Sequence, residues 1–301
     1  MIMKKISGPI FALLTPFDEE GKIDFTALGD YILFLQERGV ETIVTNGTTG
    51  EFSSLSLEER MVFVEYCRKK FDGTILNNVS SCCLSDCLKL ANHSKNYADA
   101  LLVLPPYYYA NVSEKGILSY FTEVLNKSPL PLYLYHFPKH SKNAITPKMV
   151  EILANKHENL AGVKDSEANL DKSKQFQEIN EGNLQVFVGS DRLALKTLKN
   201  GLDGFVTGGG NAFPEFLIAI TRYFQADDLE MAKTMQRSLD VWNKFRKQSS
   251  QGEIALIKIA LQTRLKGFPI FVRLPLPAIE TTVQKKIELF IEKKVFSLLE
   301  K

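Results

Sequence analysis

A single lysine ends a short apolar segment near the middle of the chain. Residues 160–163 read Leu-Ala-Gly-Val, Lys164 follows them, and a turn-like Asp-Ser pair comes next. If the segment is a buried strand, the amine of Lys164 lies at its C-terminal end, and burial disfavours a charged ammonium. A neutral amine can attack a carbonyl carbon and form a Schiff base. The alternative is a surface lysine whose alkyl stem packs on the fold while its ammonium reaches solvent.

A second candidate is the loop Gly47-Thr48-Thr49-Gly50, which follows a predicted strand at residues 42–45. Its glycines permit a tight turn whose backbone N–H groups converge on one point. Those N–H groups, together with the hydroxyls of Thr48 and Thr49, could hold a carboxylate. The alternative is an ordinary Asn-Gly turn without a ligand.

Tyrosines and histidines follow two other predicted strands. Tyr135 ends a strand at residues 131–135, and a tyrosine beside a lysine can shuttle a proton, with a hydroxyl such as that of Thr48 as a relay. His136 and His140 come next, and we favour ordinary polar loop positions over functional ones for both. Residues 107–109 are three consecutive tyrosines, a pattern typical of packing or of a protein interface.

Two later segments also contain residues suited to ligand binding. Asp191 follows a predicted strand at residues 185–188, and it can accept hydrogen bonds from a hydroxyl-rich ligand or cap a helix. Residues 208–210 are glycines, which let a ligand approach the backbone closely. They lack the lysine of a phosphate-binding P-loop, so a nucleotide site is not indicated.

The composition argues against several classes of protein. The 301 residues are 45% hydrophobic and 24% charged, and the formal net charge is +2. That charge gives no electrostatic drive toward nucleic acid or an anionic membrane, and no apolar run reaches the roughly 18 residues of a membrane span. We expect no signal peptide, because the first five residues are not followed by an apolar segment with a cleavage site. We therefore expect a cytoplasmic protein.

The four cysteines do not form a recognisable framework. Cys67, Cys82, Cys83 and Cys87 have neither disulfide-framework spacing nor, with His93, the spacing of a zinc site. We interpret them as reduced structural thiols and predict no metal.

The elements that must position these residues alternate regularly along the chain. Each of eight apolar segments precedes a helical pattern, such as the one that begins at the capping box of residues 56–59. The count and spacing predict an α/β fold, a (β/α)8 TIM barrel. A doubly wound sheet is the competitor, but no dinucleotide or phosphate fingerprint follows the first strand. The predicted strands are 8–14, 42–45, 74–79, 100–104, 131–135, 160–164, 185–188 and 203–206. We assign residues 1–224 to the barrel and residues 225–301 to a C-terminal helical extension packed on it.

Five strand-end motifs together resemble those of the dihydrodipicolinate synthase / N-acetylneuraminate lyase family of class I aldolases. They are Gly47-Thr48-Thr49-Gly50-Glu51, Pro106-Tyr107-Tyr108, Tyr135 with Pro138, Gly162-Val163-Lys164-Asp165, and Gly189-Ser190-Asp191. The resemblance spans the whole barrel, and each motif follows a strand whose C-terminal end lies on the active-site face of such a fold.

The resemblance implies a role for each site residue. Lys164 is expected to form a Schiff base with pyruvate or another 2-keto acid, and Tyr135 to act as the general acid/base. Thr48 is expected to link Tyr135 to Tyr108, which a neighbouring subunit of a tight dimer would lend. Thr48 and Thr49 are expected to bind the carboxylate of pyruvate. The expected substrate-binding residues are Thr49, Gly47, His140, Gly189, Asp191 and Val206.

The resemblance also implies the partners of the protein. The substrates would be pyruvate and a small aldehyde, or a 2-keto acid built from them. No metal or organic cofactor is expected, because the iminium itself is the electron sink. The expected assembly is a homotetramer formed as a dimer of tight dimers.

Within this family the substrate is indicated by two positions. His140 stands where dihydrodipicolinate synthases have an arginine that meets the carboxylate of aspartate semialdehyde, and a neutral imidazole is a poor substitute for a guanidinium. Other stretches look more like 2-keto-3-deoxygluconate aldolases, although Asn111 replaces a basic residue that can bind a substrate phosphate. A non-phosphorylated 2-keto-3-deoxy sugar acid is therefore expected. The alternatives are a dihydrodipicolinate synthase, an N-acetylneuraminate lyase-like enzyme and a non-catalytic binding homologue.

Overall fold

Eight parallel strands form a closed barrel in the computed structural model, which describes residues 5–249 and 252–299. Each strand pairs with the next one along the chain, and the last pairs with the first. The strands are β1 (Ile10–Ala12), β2 (Thr42–Thr45), β3 (Thr74–Asn78), β4 (Ala100–Val103), β5 (Leu132–His136), β6 (Leu160–Asp165), β7 (Gln185–Val188) and β8 (Gly204–Thr207). The predicted (β/α)8 barrel with a C-terminal helical extension is confirmed.

Helices connect the strands and continue after the barrel closes. Those of the barrel are α1 (Phe25–Gln36), α2 (Leu57–Lys70), α3 (Leu84–Ser94), α4 (Glu114–Lys127), α5 (Pro138–Ser141), α6 (Pro147–Ala154), α7 (Leu170–Gln177), α8 (Ala194–Lys199) and α9 (Pro214–Gln225). The extension has α10 (Leu229–Gln248), α11 (Glu253–Arg264), α12 (Thr281–Phe290), a π-helical turn (Ile291–Val295) and α13 (Phe296–Leu299). Short 3-10 turns lie at Phe52–Ser54, Ile179–Gly182, Asp191–Leu193 and Gly209–Ala212.

The local capping signals act where the sequence indicates them. Ser56 Oγ accepts a hydrogen bond from the backbone N–H of Glu59, and the Glu59 carboxylate accepts one from the backbone N–H of Ser56. This reciprocal pair satisfies two N–H groups that would otherwise have no partner at the start of α2. Pro147 occupies the first turn of α6, where a missing N–H costs nothing.

Some strand ends differ from the predicted ones. The first strand is three residues long instead of seven: it begins after Pro9, which has no N–H to donate to a neighbouring strand, and it ends at Ala12. The eighth strand begins at Gly204, because the carboxylate of Asp203 instead accepts the backbone N–H of Val186 at 2.8 Å. The fifth strand extends to His136, so the interpretation of His136 as a polar loop residue was wrong: its side chain is fully buried.

A bulge in β6 sets the direction of the lysine side chain. Leu132 pairs with Leu160 but Tyr133 pairs with Gly162, so Ala161 is an extra residue in β6. From there on Tyr135 pairs with Lys164. Since side chains alternate faces along a strand, the extra residue places both side chains on the same side of the sheet.

The extension packs on the barrel through its hydrophobic side chains. Leu239 and Trp242 of α10 and Leu256 of α11 are fully buried, in one cluster with Leu28 of α1 and Phe216 of α9. The indole N–H of Trp242 also donates to the carbonyl of Gly209 at 2.8 Å, which fixes α10 against the turn after β8.

A few positions lie beyond what the structure describes. Residues 1–4, 250–251 and 300–301 are outside it, so the first four residues on which the expectation of no signal peptide rests lie outside the described residues. Within the described ranges, no helix is both long and apolar enough to cross a membrane.

Candidate active site

A cavity of about 790 Å³ opens at the C-terminal ends of the barrel strands. Eight of the ten residues that the sequence predicts to be catalytic or substrate-binding line it. They are Lys164, Tyr135, Thr48, Thr49, His140, Gly189, Asp191 and Val206. Residues of α10, α11 and the following segment close the cavity on the side of the extension, among them Asn243, Arg246, Ile254, Ile257, Leu276 and Pro277.

Lys164 and Tyr135 form the centre of this site. Only 6% of Lys164 is exposed, and its Nζ lies 3.9 Å from the centroid of the Tyr135 ring. Tyr135 is held in turn by the ring of Phe137, which stacks at a centroid distance of 5.8 Å. Within the described ranges no carboxylate forms an ion pair with Lys164. Without such a partner the amine can attack a substrate carbonyl carbon, and the Tyr135 phenol lies beside it.

The Thr48 hydroxyl lies next to this pair. Its Oγ is 3.3 Å from the hydroxyl oxygen of Tyr135, a distance at which either group can donate. The loop that carries it is tight, since a Cβ on Gly50 would come within 3.0 Å of the carbonyl oxygen of Leu13. Gly47 does not line the cavity; its backbone carbonyl accepts the N–H of Gly50, so it shapes the turn.

The tyrosines after β4 lie apart from the cavity in a single chain. Tyr108 is 81% exposed and Tyr109 is 64% exposed, and their rings contact each other edge to face. Tyr107 is half-buried against the ring of Phe52. The structure of one chain thus does not bring Tyr108 to Thr48.

His140 is a neutral group at the rim of the cavity. Its ring packs on Phe137 at a centroid distance of 4.2 Å. Desolvation lowers the pKa of His140 from its ordinary value of 6.5, and the positive charges of Lys139 and Lys142 lower it further. At neutral pH the imidazole therefore cannot form a charge-assisted hydrogen bond with a substrate carboxylate.

Asp191 forms a buried ion pair that the sequence did not indicate. Its two carboxylate oxygens accept from Nη2 of Arg246 at 3.0 and 2.8 Å, and one also accepts from the Thr207 hydroxyl at 3.1 Å. Its carboxylate is therefore not engaged in capping a helix. Arg246 lies near the end of α10 between Lys244 and Lys247, and in such a basic segment of an amphipathic helix an arginine looks solvent-facing. Only the packing of the extension on the barrel brings Arg246 to Asp191.

A second polar cluster adjoins the cavity, since Glu167 belongs to the cluster and lines the cavity. His136, Asp165 and Glu167 have the spacing of a metal site, the one such group within the described ranges. However, Nδ1 of His136 accepts the backbone N–H of Ile145 at 3.0 Å, so a neutral ring carries its proton on Nε2 and donates it to Glu167. Asp165 accepts from the Glu167 N–H and the Ser173 hydroxyl. Hydrogen bonds occupy these atoms, and the cluster is a structural network.

The chain is similar to known proteins over most of its length. A family model described as the dihydrodipicolinate synthetase family matches residues 5–294. A DapA-like lyase of Pyrococcus horikoshii, itself uncharacterized, is 36% identical over 88% of this chain and 92% of its own length. A probable 2-dehydro-3-deoxy-D-pentonate aldolase of Escherichia coli is 32% identical over 79% and 80%. Among solved structures, a Sulfolobus 2-keto-3-deoxygluconate aldolase in complex with D-KDPG superimposes with a TM-score of 0.84 at 26% identity, covering 97% of each chain.

Proposed function

The chain belongs to the dihydrodipicolinate synthetase family and is a carbon–carbon lyase of the aldolase type, and from that premise we propose that it acts on 2-keto-3-deoxy sugar acids through a Schiff base at Lys164. The observation that carries the proposal is the arrangement of three groups in one cavity. The Lys164 amine lies over the Tyr135 ring, and the Tyr135 hydroxyl is 3.3 Å from that of Thr48.

The proposed cleavage reaction uses these three groups in sequence. The Lys164 amine adds to the C2 carbonyl of the substrate, and loss of water leaves an iminium ion. Tyr135 gives its phenol proton to the departing water, and the resulting phenolate then takes the proton of the C4 hydroxyl; the C3–C4 bond breaks, and its electron pair moves into the iminium to give an enamine. The aldehyde leaves, Tyr135 returns the proton to C3, and water hydrolyses the resulting iminium, which releases pyruvate and the free lysine and restores the phenol with the proton that this step sets free. No metal or organic cofactor takes part, because the iminium accepts the electrons.

The charges of the cavity support a substrate with one carboxylate and a hydroxylated tail. Besides Lys164, four cations and three carboxylates are among the described residues that line it, so the field favours an anion. The Thr48–Thr49 loop and Gly189 lie near Lys164, where the carboxylate next to the ketone would bind. Farther out, Arg246 is already neutralised by Asp191, which favours a neutral polyol over a phosphate at that end.

Borohydride trapping tests the proposal directly. Incubation with pyruvate followed by reduction should add the mass of one reduced pyruvate, and peptide mapping should locate it at Lys164. The Lys164→Ala variant is the matched control and should remain unmodified. An unchanged intact mass of the wild-type protein would exclude Schiff-base chemistry. A panel of aldehydes offered with pyruvate would then identify the acceptor by product formation.

A dihydrodipicolinate synthase is the competing function. It requires a group at the position of His140 that binds the carboxylate of aspartate semialdehyde, and the neutral ring there disfavours it. Turnover of pyruvate with aspartate semialdehyde would establish it instead. Cleavage of N-acetylneuraminate would favour the lyase-like alternative, and trapping without any aldol exchange would indicate a binding protein.

We further propose a homotetramer built from tight dimers, working in the cytoplasm. The exposed Tyr108 supports the assembly, since a side chain that is 81% exposed in one chain is accessible for contact with the site of a neighbouring subunit. The four free cysteines support a reducing compartment. Light scattering of the purified protein, and its repeat on a Tyr108→Ala variant, would test the assembly.

A further inference from the structure

A buried ion pair connects the Thr48–Thr49 loop to the C-terminal extension. Glu51 ends that loop with a left-handed φ of 57°, and its side chain is fully buried. Its Oε1 accepts a hydrogen bond from Nζ of Lys258 in α11 at 2.6 Å. Its Oε2 accepts one from the backbone N–H of Arg273 at 2.9 Å. Both oxygens of the carboxylate are therefore held by the extension.

Lys258 is equally well satisfied. Its side chain has no exposed surface, and Nζ donates a second hydrogen bond to the carbonyl of Phe271 at 2.6 Å. The ammonium also lies 4.5 Å from the centroid of the Phe17 ring. Burying two charges costs several kcal/mol of desolvation, which only such complete pairing offsets. A pair of apolar residues would stabilise the fold at least as well, so stability alone does not account for this pair.

Arg273 connects the extension to the segments on both sides of the Thr48–Thr49 loop. Its guanidinium binds both carboxylate oxygens of Glu59 at the start of α2, at 2.7 and 2.5 Å. It also donates to the carbonyls of Gly21 and Ser54. The segments before and after the Thr48–Thr49 loop are thus held by the same residue of the extension.

The loop itself transmits the position of Glu51 to Thr48. The N–H of Glu51 donates to the carbonyl of Thr48 at 3.1 Å, and the N–H of Phe52 donates to that of Gly47. In a turn this tight, a shift of the Glu51 backbone moves Thr48 with it. Thr48 in turn lies only 3.3 Å from the Tyr135 hydroxyl, a distance that a small shift would break.

We propose that Lys258 is a positioning residue, which acts through Glu51 to hold the Thr48–Thr49 loop against Tyr135 and the carboxylate of the bound 2-keto acid. The expected effect on substrate binding and catalysis rests on the proposed aldolase function. The restraint of the loop by Lys258 does not. The charged groups that face Lys258 are Glu51, which raises the pKa of the lysine, and Arg273, which lowers it.

Two measurements on a Lys258→Met variant test the proposal. Removing the ammonium leaves the Glu51 carboxylate buried without its cation, so the loop must move or take up a proton. We expect the pyruvate concentration for half-maximal trapping to rise between about tenfold and a hundredfold, the effect of displacing a binding group by about 1 Å. Hydrogen exchange of the backbone amides at residues 47–54 should become faster in the absence of any ligand.

A variant of the same helix serves as the matched control. Arg264 also lies in α11 and pairs with Glu215 of α9, away from the loop. Arg264→Met should lower the melting temperature without changing pyruvate trapping or exchange at residues 47–54. If Lys258→Met does not fold, Glu51→Gln provides the same test, because it removes the charge and keeps the shape.

The outcomes separate this proposal from the proposed function. If a folded variant shows wild-type exchange at residues 47–54, or traps pyruvate within twofold of the wild type, the positioning role is overturned. If the wild-type protein traps no pyruvate, the aldolase function fails while the exchange measurement still decides the role of Lys258.

Discussion

The hydroxyl oxygens of Thr48 and Tyr135 lie 3.3 Å apart, although the two residues are 87 positions apart in the sequence. Tyr135 is the last residue but one of β5, and Thr48 lies in the loop after β2. Because closure of the barrel brings the ends of distant strands to one mouth, the two hydroxyls and the Lys164 amine meet around the space for one small substrate.

Replacing Tyr135 by phenylalanine should abolish most of the turnover. The change removes the only proposed proton carrier at the C4 hydroxyl, so kcat should fall by about 10²–10⁴-fold. Thr48→Val should give a smaller loss of kcat, because it removes the relay hydroxyl, which also belongs to the proposed carboxylate site, but leaves the Tyr135 phenol in place. Steady-state rates of sugar-acid cleavage measure both.

The control for this prediction is Tyr133→Phe. Tyr133 donates to Gln185 inside the barrel and does not line the cavity, so its loss should cost about 0.5–1.5 kcal/mol of stability and leave kcat intact. A Tyr135→Phe enzyme that retains more than a tenth of the wild-type kcat would contradict the assigned role.

Asp191→Asn should weaken sugar-acid binding without affecting the Schiff base. The change leaves the buried guanidinium of Arg246 with Glu253 as its one remaining carboxylate among the described residues, and loss of one partner from a buried pair costs about 2–5 kcal/mol. We expect KM for the sugar acid to rise at least about tenfold, while pyruvate trapping at Lys164 stays at the wild-type level. The control is Glu230→Gln, which removes an exposed ion pair with Lys233 in α10, the helix that also carries Arg246. Equal effects on trapping and on KM would show that Asp191 acts on the whole site.

Gly162→Ala should destabilise β6 and displace the reactive lysine. A Cβ at this position would clash with the backbone carbonyl of Gln185 in β7, which cannot move without breaking the barrel. We expect a loss of about 1–3 kcal/mol or more in the free energy of unfolding, measured by urea titration, together with reduced trapping at Lys164.

Gly201→Asn separates the effect of the clash from the mere loss of a glycine. Gly201 has a φ of 72° and open space around it, and asparagine tolerates that conformation. Its unfolding free energy should stay within about 1 kcal/mol of the wild type. A Gly162→Ala protein as stable as Gly201→Asn would refute the packing argument.

Stability should fall on acidification, with His136 as one cause. Burial lowers the pKa of His136 below its ordinary value of 6.5, and the charge of Lys172 lowers it further, against the opposing effects of Glu167 and Asp165. The unfolded chain therefore takes up a proton at a higher pH than the folded one. The free energy of unfolding should decrease as the pH falls from about 7 to about 5, by at most about 1.4 kcal/mol per pH unit for one group.

A His136→Asn variant should show a shallower decrease over the same range. His140 and His157 also have lowered pKa values and contribute in the same direction, so only the difference between the two proteins reports on His136. Glu167 does not interfere, since its pKa is lowered from 4.5 and its contribution is lost only below that window. Parallel curves for the two proteins would show that His136 is not responsible.

Most of the local structure could be predicted from the sequence. The capping box at Ser56 and the apolar run before Lys164 depend on residues close together in the chain, so short patterns specify them. Strand ends were less predictable, as at His136, because the last residue of a strand is decided by its neighbour in the sheet. The role of Lys258 has a partial signal: it is the one charged residue in the otherwise apolar run 255–261, which indicates burial but not the partner.

The sequence by itself determined the (β/α)8 order, and it indicated Lys164 as the candidate nucleophile together with the residue types that surround it. The tertiary structure decided which of them meet. The bulge at Ala161 turns Lys164 toward Tyr135, and the packing of the extension brings Arg246 to Asp191 over 55 positions and Lys258 to Glu51 over 207. These contacts depend on how whole elements close against one another, and no local pattern encodes the partner of a residue that is distant in the chain.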